Sequence, residues 1–358
     1  MNNSKNRKEV KTLKNVAIIG GTGYGAIELI RLLQTHEFMH VKQIISHSQH
    51  GEQIATIYPH LTKFFNNPME ELDIERLKEE VDIVFLATPA GVAKDLVPKF
   101  QESHLQCIDL SGDLRLSSQE QYEKWYKKDA APQATLDEAV YGLSEIYKEQ
   151  IKNAKILSNP GCFPTSALLG MIPAVEHRII STETIIIDGK TGVSGAGGKQ
   201  SPMTHYSGTN ENVKPYKIGM HQHIPEIDQY LSGIANKPVT TTFTTHLIPM
   251  TRGLICTMYG RLEKEMTTAE VINMYQFYYE SHPFIRIVEA GSFPTTKEVY
   301  GSNFCDIGLH VDERTNQLIV VSAIDNLVKG AAGQAIQNAN LMNGWDEEHG
   351  LYQIPIYP

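Results

Sequence analysis

A glycine-rich turn near the start of the chain constrains the fold more than any other sequence feature. The sequence GGTGYG occupies residues 20–25, after an apolar run at 16–19 and before a run at 27–34 whose apolar residues recur at helical spacing. Strand, glycine turn and helix in this order form the phosphate-cradling unit of dinucleotide-binding folds. Glycines let the backbone approach a pyrophosphate, and the helix N-terminus supplies N–H donors.

The strand and helix pattern continues beyond this turn. Apolar runs at 41–46, 81–87 and 106–110 alternate with helical segments, which predicts a parallel sheet. We therefore predict an α/β protein whose residues 15–158 form a Rossmann-type domain. The residues predicted to bind the dinucleotide in this domain are Gly20, Thr22, Gly23, Tyr24, Gly25, Thr88 and Pro89.

The end of the second predicted strand indicates which dinucleotide binds. An acidic side chain at this place would accept a hydrogen bond from the ribose 2′-OH of NAD. Here the sequence is SHSQH at residues 46–50, without a carboxylate. We therefore predict NADP(H) as the cofactor, with Ser46 and Ser48 near its 2′-phosphate.

Length and composition limit the remaining possibilities. A chain of 358 residues is longer than one core usually supports, so we expect two domains. A net charge of −9 and a pI near 5.9 argue against a nucleic-acid-binding surface. The four cysteines contain no CxxC pair, and no apolar stretch is long enough for a signal peptide or a membrane span. We predict a cytoplasmic protein with a disordered, basic extension over residues 1–14; a targeting peptide is the less favoured reading of this extension.

The second half of the chain has a different pattern. Residues 159–325 are predicted to form a catalytic and dimerisation domain of the α+β type around a mixed or antiparallel sheet, and the stretch 189–199 contains too many glycines for regular structure. Its predicted helices cover residues 165–175 and 269–280, and its predicted strands cover 184–188, 240–247, 253–262 and 317–323. Residues 326–358 carry a helix rich in small residues that we expect to return to the first domain.

One cysteine lies at a predicted helix start, in the sequence NPGCFPT at residues 159–165. Pro164 suits a first helical turn, which places Cys162 at the helix entrance. Free N–H groups and the helix dipole favour a thiolate there and could also hold an oxyanion. A lone cysteine is more often a small core residue. Cys107, Cys256 and Cys305 fit that alternative, whereas Cys162 is predicted to be a nucleophile.

A cysteine nucleophile needs a proton acceptor, and HQHIPE at residues 221–226 offers one. Residues two apart in an extended segment face the same side, so His221 and His223 could enter one cleft. The spacing does not distinguish them; we assign the acid/base role to His221. Glu226 follows in the first turn of a helix. Solvated histidines and a metal site are the two alternatives.

An acidic substrate would require cations close to these residues. Arg115 follows the fourth strand, Lys199 closes the glycine-rich stretch, and Arg252 follows PMT at residues 249–251. Each is a candidate substrate ligand, because binding sites are assembled where elements end. Structural ion pairs are the alternative for all three.

Seven motifs in one order resemble the N-acetyl-gamma-glutamyl-phosphate reductases of the semialdehyde dehydrogenase group. The motifs are GGTGYG (20–25), DLSGDLRL (109–116), NPGCFPT (159–165), GVSGAG (192–197), HQHIPE (221–226), PMTRG (249–253) and DNLVKG (325–330). One departure is Gly198, where this family usually has an arginine before the lysine. The substrate loses one possible cation there, so Lys199 becomes the more important candidate ligand.

The resemblance implies NADPH-dependent reduction of N-acetyl-5-glutamyl phosphate to N-acetylglutamate 5-semialdehyde, with phosphate release, through a thioester on Cys162. It also implies a homodimer or homotetramer that needs no metal. Further site residues implied by the motifs are Asn159 beside the nucleophile, Gly192, Gly195 and Asn326 at the cofactor, and Ser194 and Glu226 at the substrate. The alternatives are an aspartate-semialdehyde dehydrogenase, a metal-dependent hydrolase that uses the two histidines, and a non-catalytic NADP-binding regulator.

Overall fold

The computed structural model describes residues 13–65 and 67–358. Most of the predicted disordered extension lies outside the described residues. Lys14, which that prediction included, instead begins the first strand. Its ammonium lies 3.0 Å from the Asp82 carboxylate, so an ion pair ties the start of the strand to the residue that precedes a neighbouring strand.

The first sheet is parallel throughout and confirms the predicted α/β class. Its order is β2-β1-β3-β4-β6-β5, so the chain moves outward in opposite directions from β1 and β3. A crevice forms at the carboxyl ends of two such strands. The strands are β1 Lys14–Ile19, β2 Met39–Ile45, β3 Ile83–Leu86, β4 Gln106–Asp109, β5 Val140–Tyr141 and β6 Ile156–Ser158.

Helices connect these strands and cover both faces of the sheet, which explains why all four residues of β3 are buried. None of the described helices combines the length and apolar character needed to cross a bilayer. The helices of this half are α1 Tyr24–Leu33, α2 Ile54–Ile57, α3 Ile74–Glu80, α4 Ala93–Phe100, α5 Gln119–Tyr126, α6 Gln133–Glu138 and α7 Ser144–Lys152, with a 3₁₀ turn at Pro59–Leu61.

The second sheet is mixed, as expected from the sequence, and has the order β11-β12-β13-β10-β7-β9-β8. The β7–β9 and β11–β12 pairs are parallel, and the other neighbours are antiparallel. The strands are β7 Ile186–Thr191, β8 Lys214–Pro215, β9 Thr242–Leu247, β10 Leu254–Arg261, β11 Ile285–Ile287, β12 Cys305–Asp312 and β13 Gln317–Ile324.

Helix α8, Cys162–Glu176, is the centre of this half. Its residues 163–175 are all buried, because α8 packs between the second sheet and two other helices. A helix covered on all sides is apolar on all sides, so it lacks the usual amphipathic stripe. The other helices are α9 Tyr206–Thr209, α10 Ile224–Ala235 and α11 Thr268–Tyr278, with 3₁₀ turns at Val193–Ala196 and Thr296–Val299.

The glycine-rich stretch is more regular than its composition suggests. Residues 189–191 belong to β7 and pair with β9 and β10, so the prediction of irregular structure from residue 189 onward is wrong for these three. The glycine at this point serves packing: a Cβ on Gly189 would lie 2.4 Å from the Phe163 ring. Strand pairing and the ring of α8 therefore override the low strand propensity of glycine.

The end of the chain packs against the first half. After a π-helical turn at Val328–Ala332, α12 (Gly333–Met342) contacts α1 and α7. Ala335 and Ile336 share one apolar core with Leu29 of α1 and Val16 of β1. Small side chains allow this close approach, and the π turn lies where the chain passes from one half to the other.

Candidate active site

A cavity of about 550 Å³ opens at the carboxyl edge of the first sheet, against the second half of the chain. Its walls include residues that follow β1, β3, β4 and β6, which is where ligands bind in open α/β sheets. Ten of the predicted site residues line it: Tyr24, Gly25, Thr88, Arg115, Cys162, Ser194, Gly195, His221, His223 and Asn326.

The glycine turn has the backbone geometry of a phosphate cradle. Gly20 has a φ of 88°, and a Cβ there would lie 2.5 Å from the Ala87 carbonyl oxygen at the end of β3. Gly23 is the N-cap residue of α1 and makes no side-chain cap hydrogen bond, which leaves the first N–H groups of this helix without a cap from that position. Thr88 Oγ1, in the cavity wall, is buried without a hydrogen-bond partner in the described part of the chain. These features fit the pyrophosphate of a dinucleotide.

The predicted ribose contacts lie beyond the end of β2. Ser46 is buried, and its backbone N–H donates to the Glu70 carbonyl oxygen at 3.1 Å. Ser48 is exposed. Thr22 is held by Tyr58, whose hydroxyl donates to the Thr22 carbonyl oxygen at 2.9 Å. The roles of these residues toward a cofactor stay predictions, as does that of exposed Pro89 after β3.

Cys162 is the first residue of α8, as the sequence predicted, with Gly161 as the N-cap residue. It is a free, half-buried cysteine in the cavity wall, whereas Cys107, Cys256 and Cys305 are buried. The π turn supports it from behind, since a Cβ on Gly330 would lie 2.8 Å from Cys162 Cβ. A glycine is therefore needed at position 330, against Cys162.

The surroundings of Cys162 have opposing effects on the pKa of its thiol. Burial raises the pKa of its thiol to about 11, although Arg115 and the N–H groups at the helix start lower it. The desolvation of a thiolate is a larger effect here than the favourable charges around it. The N–H groups of the helix start therefore act in the predicted direction, but burial has the larger effect and keeps the pKa of the Cys162 thiol above its usual value.

Arg115 is a buried cation beside the nucleophile. Its Nε donates to the Asn159 carbonyl oxygen and its Nη2 to the Leu110 carbonyl oxygen, both at 2.9 Å. Nη1 lies 3.4 Å from His223 Nε2 and 3.6 Å from Glu226 Oε2. Burial is the largest single effect and opposes its charge, but Glu226, Tyr126, Tyr141 and Asp109 together outweigh burial, so the pKa of Arg115 is raised. The guanidinium is thus fixed and charged.

Glu226 lies behind Arg115 and outside the cavity wall, which corrects its predicted contact with substrate. It is fully buried, and its Oε1 accepts hydrogen bonds from the Gly161 N–H at 2.9 Å and the Tyr141 hydroxyl at 2.8 Å. Burial raises the pKa of this carboxyl, although Arg115 and the two donors lower it. Glu226 therefore joins the N-cap of α8 to the guanidinium.

The two histidines enter one cavity, as predicted. The backbone N–H of His223 donates a hydrogen bond to His221 Nδ1 at 3.1 Å, and the centroids of the two imidazole rings are 4.7 Å apart. Burial, with a smaller effect of Lys217, lowers the pKa of His221 to about 3. Burial also lowers the pKa of His223 well below its usual value, with added repulsion from His221 and Arg115. Both imidazoles are neutral near pH 7.

Two predicted site residues have partners within the protein. Asn159 is fully buried; its amide donates to the Ala331 carbonyl oxygen, and its Oδ1 accepts from Asn338, both at 3.1 Å. Arg252 lies 3.1 Å from both Glu28 and Asp325 and so links α1 to the end of β13. Neither side chain lines the cavity around Cys162. Arg252 lines the neighbouring cavity instead, and its Nε is buried without a hydrogen-bond partner among the described residues, so its binding role stays a prediction.

The glycine-rich loop forms one wall between this cavity and a second one of about 540 Å³. Lys199 and Gly198 line the second cavity and are absent from the first, so Lys199 is not beside Cys162. Ser194 lines both, and its hydroxyl accepts from Asn326 Nδ2 at 3.0 Å. Gly192 is a packing position, because a Cβ there would lie 2.8 Å from the Thr251 carbonyl oxygen.

Sequence reasoning missed Lys217 and Gln222, which line the cavity with Cys162. Their closeness in sequence to His221 is the signal that could have found them. Lys217 also lies in the left-handed region with a φ of 47°, which the sequence does not reveal.

The metal alternative finds no support in the geometry. Among residues 13–65 and 67–358, no three His, Cys, Asp or Glu side chains form a group that could hold an ion. Glu226 contacts Gly161, Tyr141 and Arg115, so it does not complete a ligand set with the histidines.

Comparison with known proteins agrees with this arrangement. Residues 15–154 match the family model for the semialdehyde dehydrogenase NAD binding domain, and residues 162–326 match the model for the semialdehyde dehydrogenase dimerisation domain. Aspartate semialdehyde dehydrogenase II from Vibrio cholerae shares the fold, with a TM-score of 0.70 at 19% identity over 92% of this chain and 98% of the other. The enzyme from Candida albicans, solved with NADP, has a TM-score of 0.67 at 15% identity over 92% and 98%.

Sequence relatives are more specific than these fold neighbours. An N-acetyl-gamma-glutamyl-phosphate reductase from Oceanobacillus iheyensis is 62% identical over 97% of this chain and 100% of its own. The reductase of that name from Bacillus subtilis is 49% identical over 96% and 99%. The chain therefore belongs to the N-acetyl-gamma-glutamyl-phosphate reductase family of the semialdehyde dehydrogenases, and it is an oxidoreductase.

Proposed function

We propose that this enzyme reduces N-acetyl-5-glutamyl phosphate to N-acetylglutamate 5-semialdehyde with NADPH, and that the reaction passes through a thioester on Cys162. The observation that carries the proposal is the cavity in which a cysteine at a helix N-terminus, a fixed arginine and two neutral histidines meet the glycine-lined crevice of the first sheet. The same reaction serves arginine biosynthesis in the family that the sequence resembles.

The first step is an acyl transfer to the protein. The sulfur of Cys162 attacks the acyl carbon as the thiol loses its proton, and phosphate leaves. Arg115 supports this step because its charge stabilises both a developing thiolate and the anionic phosphate group. N–H groups at the start of α8 are suited to hold the oxygen of the tetrahedral intermediate.

His221 is assigned the proton transfers. Its Nδ1 accepts the backbone N–H of His223, so a neutral ring in this arrangement carries its proton on Nε2 and can donate it to the reacting oxygen or the leaving phosphate. To take the thiol proton at Nε2, the ring must hold its own proton on Nδ1, which requires release of the His223 N–H hydrogen bond. His223 has Arg115 at its Nε2, which favours a positioning role. His221→Asn is expected to remove one limb of the pH–rate profile, and His223→Asn to reduce the rate with both limbs kept.

The crevice at the carboxyl ends of β1 and β3 would hold the cofactor. Gly20, Gly23 and Gly25 would contact its pyrophosphate, with Thr88 and Tyr24 beside them. When bound, NADPH supplies the hydride that converts the thioester to the aldehyde. A thioester accepts hydride where a carboxylate would not, which explains why the nucleophile is required. The absence of a carboxylate at residues 46–50 supports NADPH over NADH.

Two alternatives weigh less. Aspartate-semialdehyde dehydrogenases share the fold, but at identities of 20% or lower for the Vibrio cholerae and Candida albicans enzymes. A non-catalytic NADP-binding regulator would have no use for a cysteine in the cavity wall.

We further propose that the protein forms a homodimer or homotetramer, in line with the matched dimerisation model. We also propose a reducing, cytoplasmic location, because the four cysteines are unpaired.

The reverse reaction tests this proposal. Purified enzyme with NADP and phosphate should oxidise N-acetylglutamate 5-semialdehyde and ignore aspartate semialdehyde. Cys162→Ser should lower turnover by roughly four orders of magnitude or more, because an alkoxide is far harder to form, while NADPH still binds. Near-normal turnover by this variant, or a preference for aspartate semialdehyde, would contradict the proposal.

A further inference from the structure

One lysine in the wall of the Cys162 cavity has no acidic partner among the described residues. Lys217 and Gln222 line this cavity, and the Lys217 ammonium donates a 2.7 Å hydrogen bond to Gln222 Oε1. Its partner in the described part of the chain is thus a neutral amide. The other cation in this wall, Arg115, already faces the Glu226 carboxylate. Lys217 is therefore the cation of the two whose charge is available to a ligand.

The backbone at Lys217 supports a functional side chain. Its φ of 47° lies in the left-handed region, where glycine or asparagine is favoured over lysine. Residues held in such conformations are found more often at ligand sites, where the contacts of the side chain offset the strain of the backbone. From this backbone the Lys217 side chain contacts Gln222 and lines the wall of the cavity.

The two cations lie at different depths. Arg115 is buried and is among the groups that lower the pKa of the Cys162 thiol. Lys217 is exposed; it contributes to the lowered pKa of His221 and, after Arg115, to that of His223. Because Lys217 is exposed and lines the same cavity, it lies on the solvent side, where the far end of a ligand whose reacting end meets Cys162 and Arg115 can reach it.

We propose that Lys217, oriented by Gln222, binds the α-carboxylate of the acylated amino-acid substrate and selects substrates that carry it. The inference rests on the proposed function. In that substrate three carbon atoms separate the reacting carbonyl from the α-carboxylate, so one anionic group belongs at the bottom of the cavity and the other at its mouth. A charge-assisted hydrogen bond from an ammonium suits a carboxylate in this half-open setting.

The test compares two aldehydes in the reverse reaction with NADP and phosphate: N-acetylglutamate 5-semialdehyde, and 4-acetamidobutanal, which lacks only the carboxylate. Lys217→Asn should lower kcat/KM for the first by roughly 10- to 100-fold and leave the second within about twofold. Asparagine tolerates the left-handed backbone, so this variant should keep its thermal stability. Lys217→Arg should retain most of the selectivity.

Lys214→Met is the matched control, because Lys214 lies in β8, three residues earlier and outside the cavity wall. It should leave both aldehydes unaffected. Equal losses for both aldehydes in Lys217→Asn, or a selective loss in Lys199→Met instead, would overturn the assignment. Wild-type enzyme that oxidises both aldehydes equally well would overturn it too and leave the reductase proposal standing. No turnover of either aldehyde by wild-type enzyme would overturn both.

Discussion

The glycine turn and the cysteine cavity lie at one edge of the same sheet, yet they are built in different ways. The turn comprises neighbouring residues, and its geometry is a property of the backbone, as the φ of 88° at Gly20 shows. The cavity joins α8 to segments near Arg115 and His221 that are far apart in sequence, and burial sets its charges. Local chemistry thus suffices for a phosphate cradle, whereas tertiary contacts decide the state of a nucleophile.

The pH dependence of Cys162 alkylation gives the largest expected contrast. With a thiol pKa of about 11, the alkylation rate should rise about tenfold per pH unit from pH 7 to 10, without a plateau. Mass spectrometry of the Cys162 peptide after iodoacetamide treatment measures this rate. Buried Cys256 is the internal control and should not react in the folded protein. A plateau between pH 6 and 8 would mean that the helix start and Arg115 outweigh burial.

Gly161→Ala tests the cavity with a single methyl group. The added Cβ would lie 2.5 Å from His223 Nε2 and 2.9 Å from Arg115 Nη1, so both must move. We expect kcat/KM to fall roughly a hundredfold or more, with the NADPH dissociation constant unchanged. Gly233→Ala in α10 is the control, since its Cβ meets nothing within 4 Å. Unchanged kinetics in Gly161→Ala would show that the pocket adjusts easily.

Gly20→Ala tests the cradle in the same way. Its Cβ would lie 2.5 Å from the Ala87 carbonyl oxygen, and the φ of 88° disfavours alanine. If the cofactor binds only the strained form of the turn, a strain of about 2 kcal/mol in the alanine variant raises the NADPH dissociation constant about thirtyfold. Fluorescence titration measures this affinity. The Cys162 alkylation rate should stay the same, and a joint change in both would mean that the two regions are not independent.

Ser48→Asp should have the smallest effect. Ser48 is exposed beyond β2, so an aspartate there repels a 2′-phosphate without being buried. The ratio of kcat/KM for NADPH over NADH should fall by roughly a factor of ten. Ser46 is buried, so Ser46→Asp would mix this effect with a folding defect. Equal efficiency with both cofactors before any substitution would show that this turn does not read the 2′ position.

Prediction from sequence succeeded where a residue's role follows from its neighbours. The first sheet, the start of α8 at Cys162 and the convergence of His221 with His223 could be inferred, because turns, caps and strand alternation are local. Asn159 and Arg252 were assigned to the site, yet their hydrogen bonds and ion pairs join segments distant in sequence. No local pattern distinguishes a structural amide or guanidinium from one that binds a ligand.

The sequence by itself determined the order of elements, the glycine turn and the place of Cys162 at a helix start, since these depend on backbone preferences within a few residues. Tertiary structure alone raised the pKa of the Cys162 thiol and lowered the pKa of the two histidines, because a desolvation energy depends on what surrounds a group from all directions. Tertiary structure also decided that Lys199 lines the neighbouring cavity and that Lys217 lines the cavity with Cys162. The path of a loop over the molecule is fixed by packing between domains, which no short motif encodes.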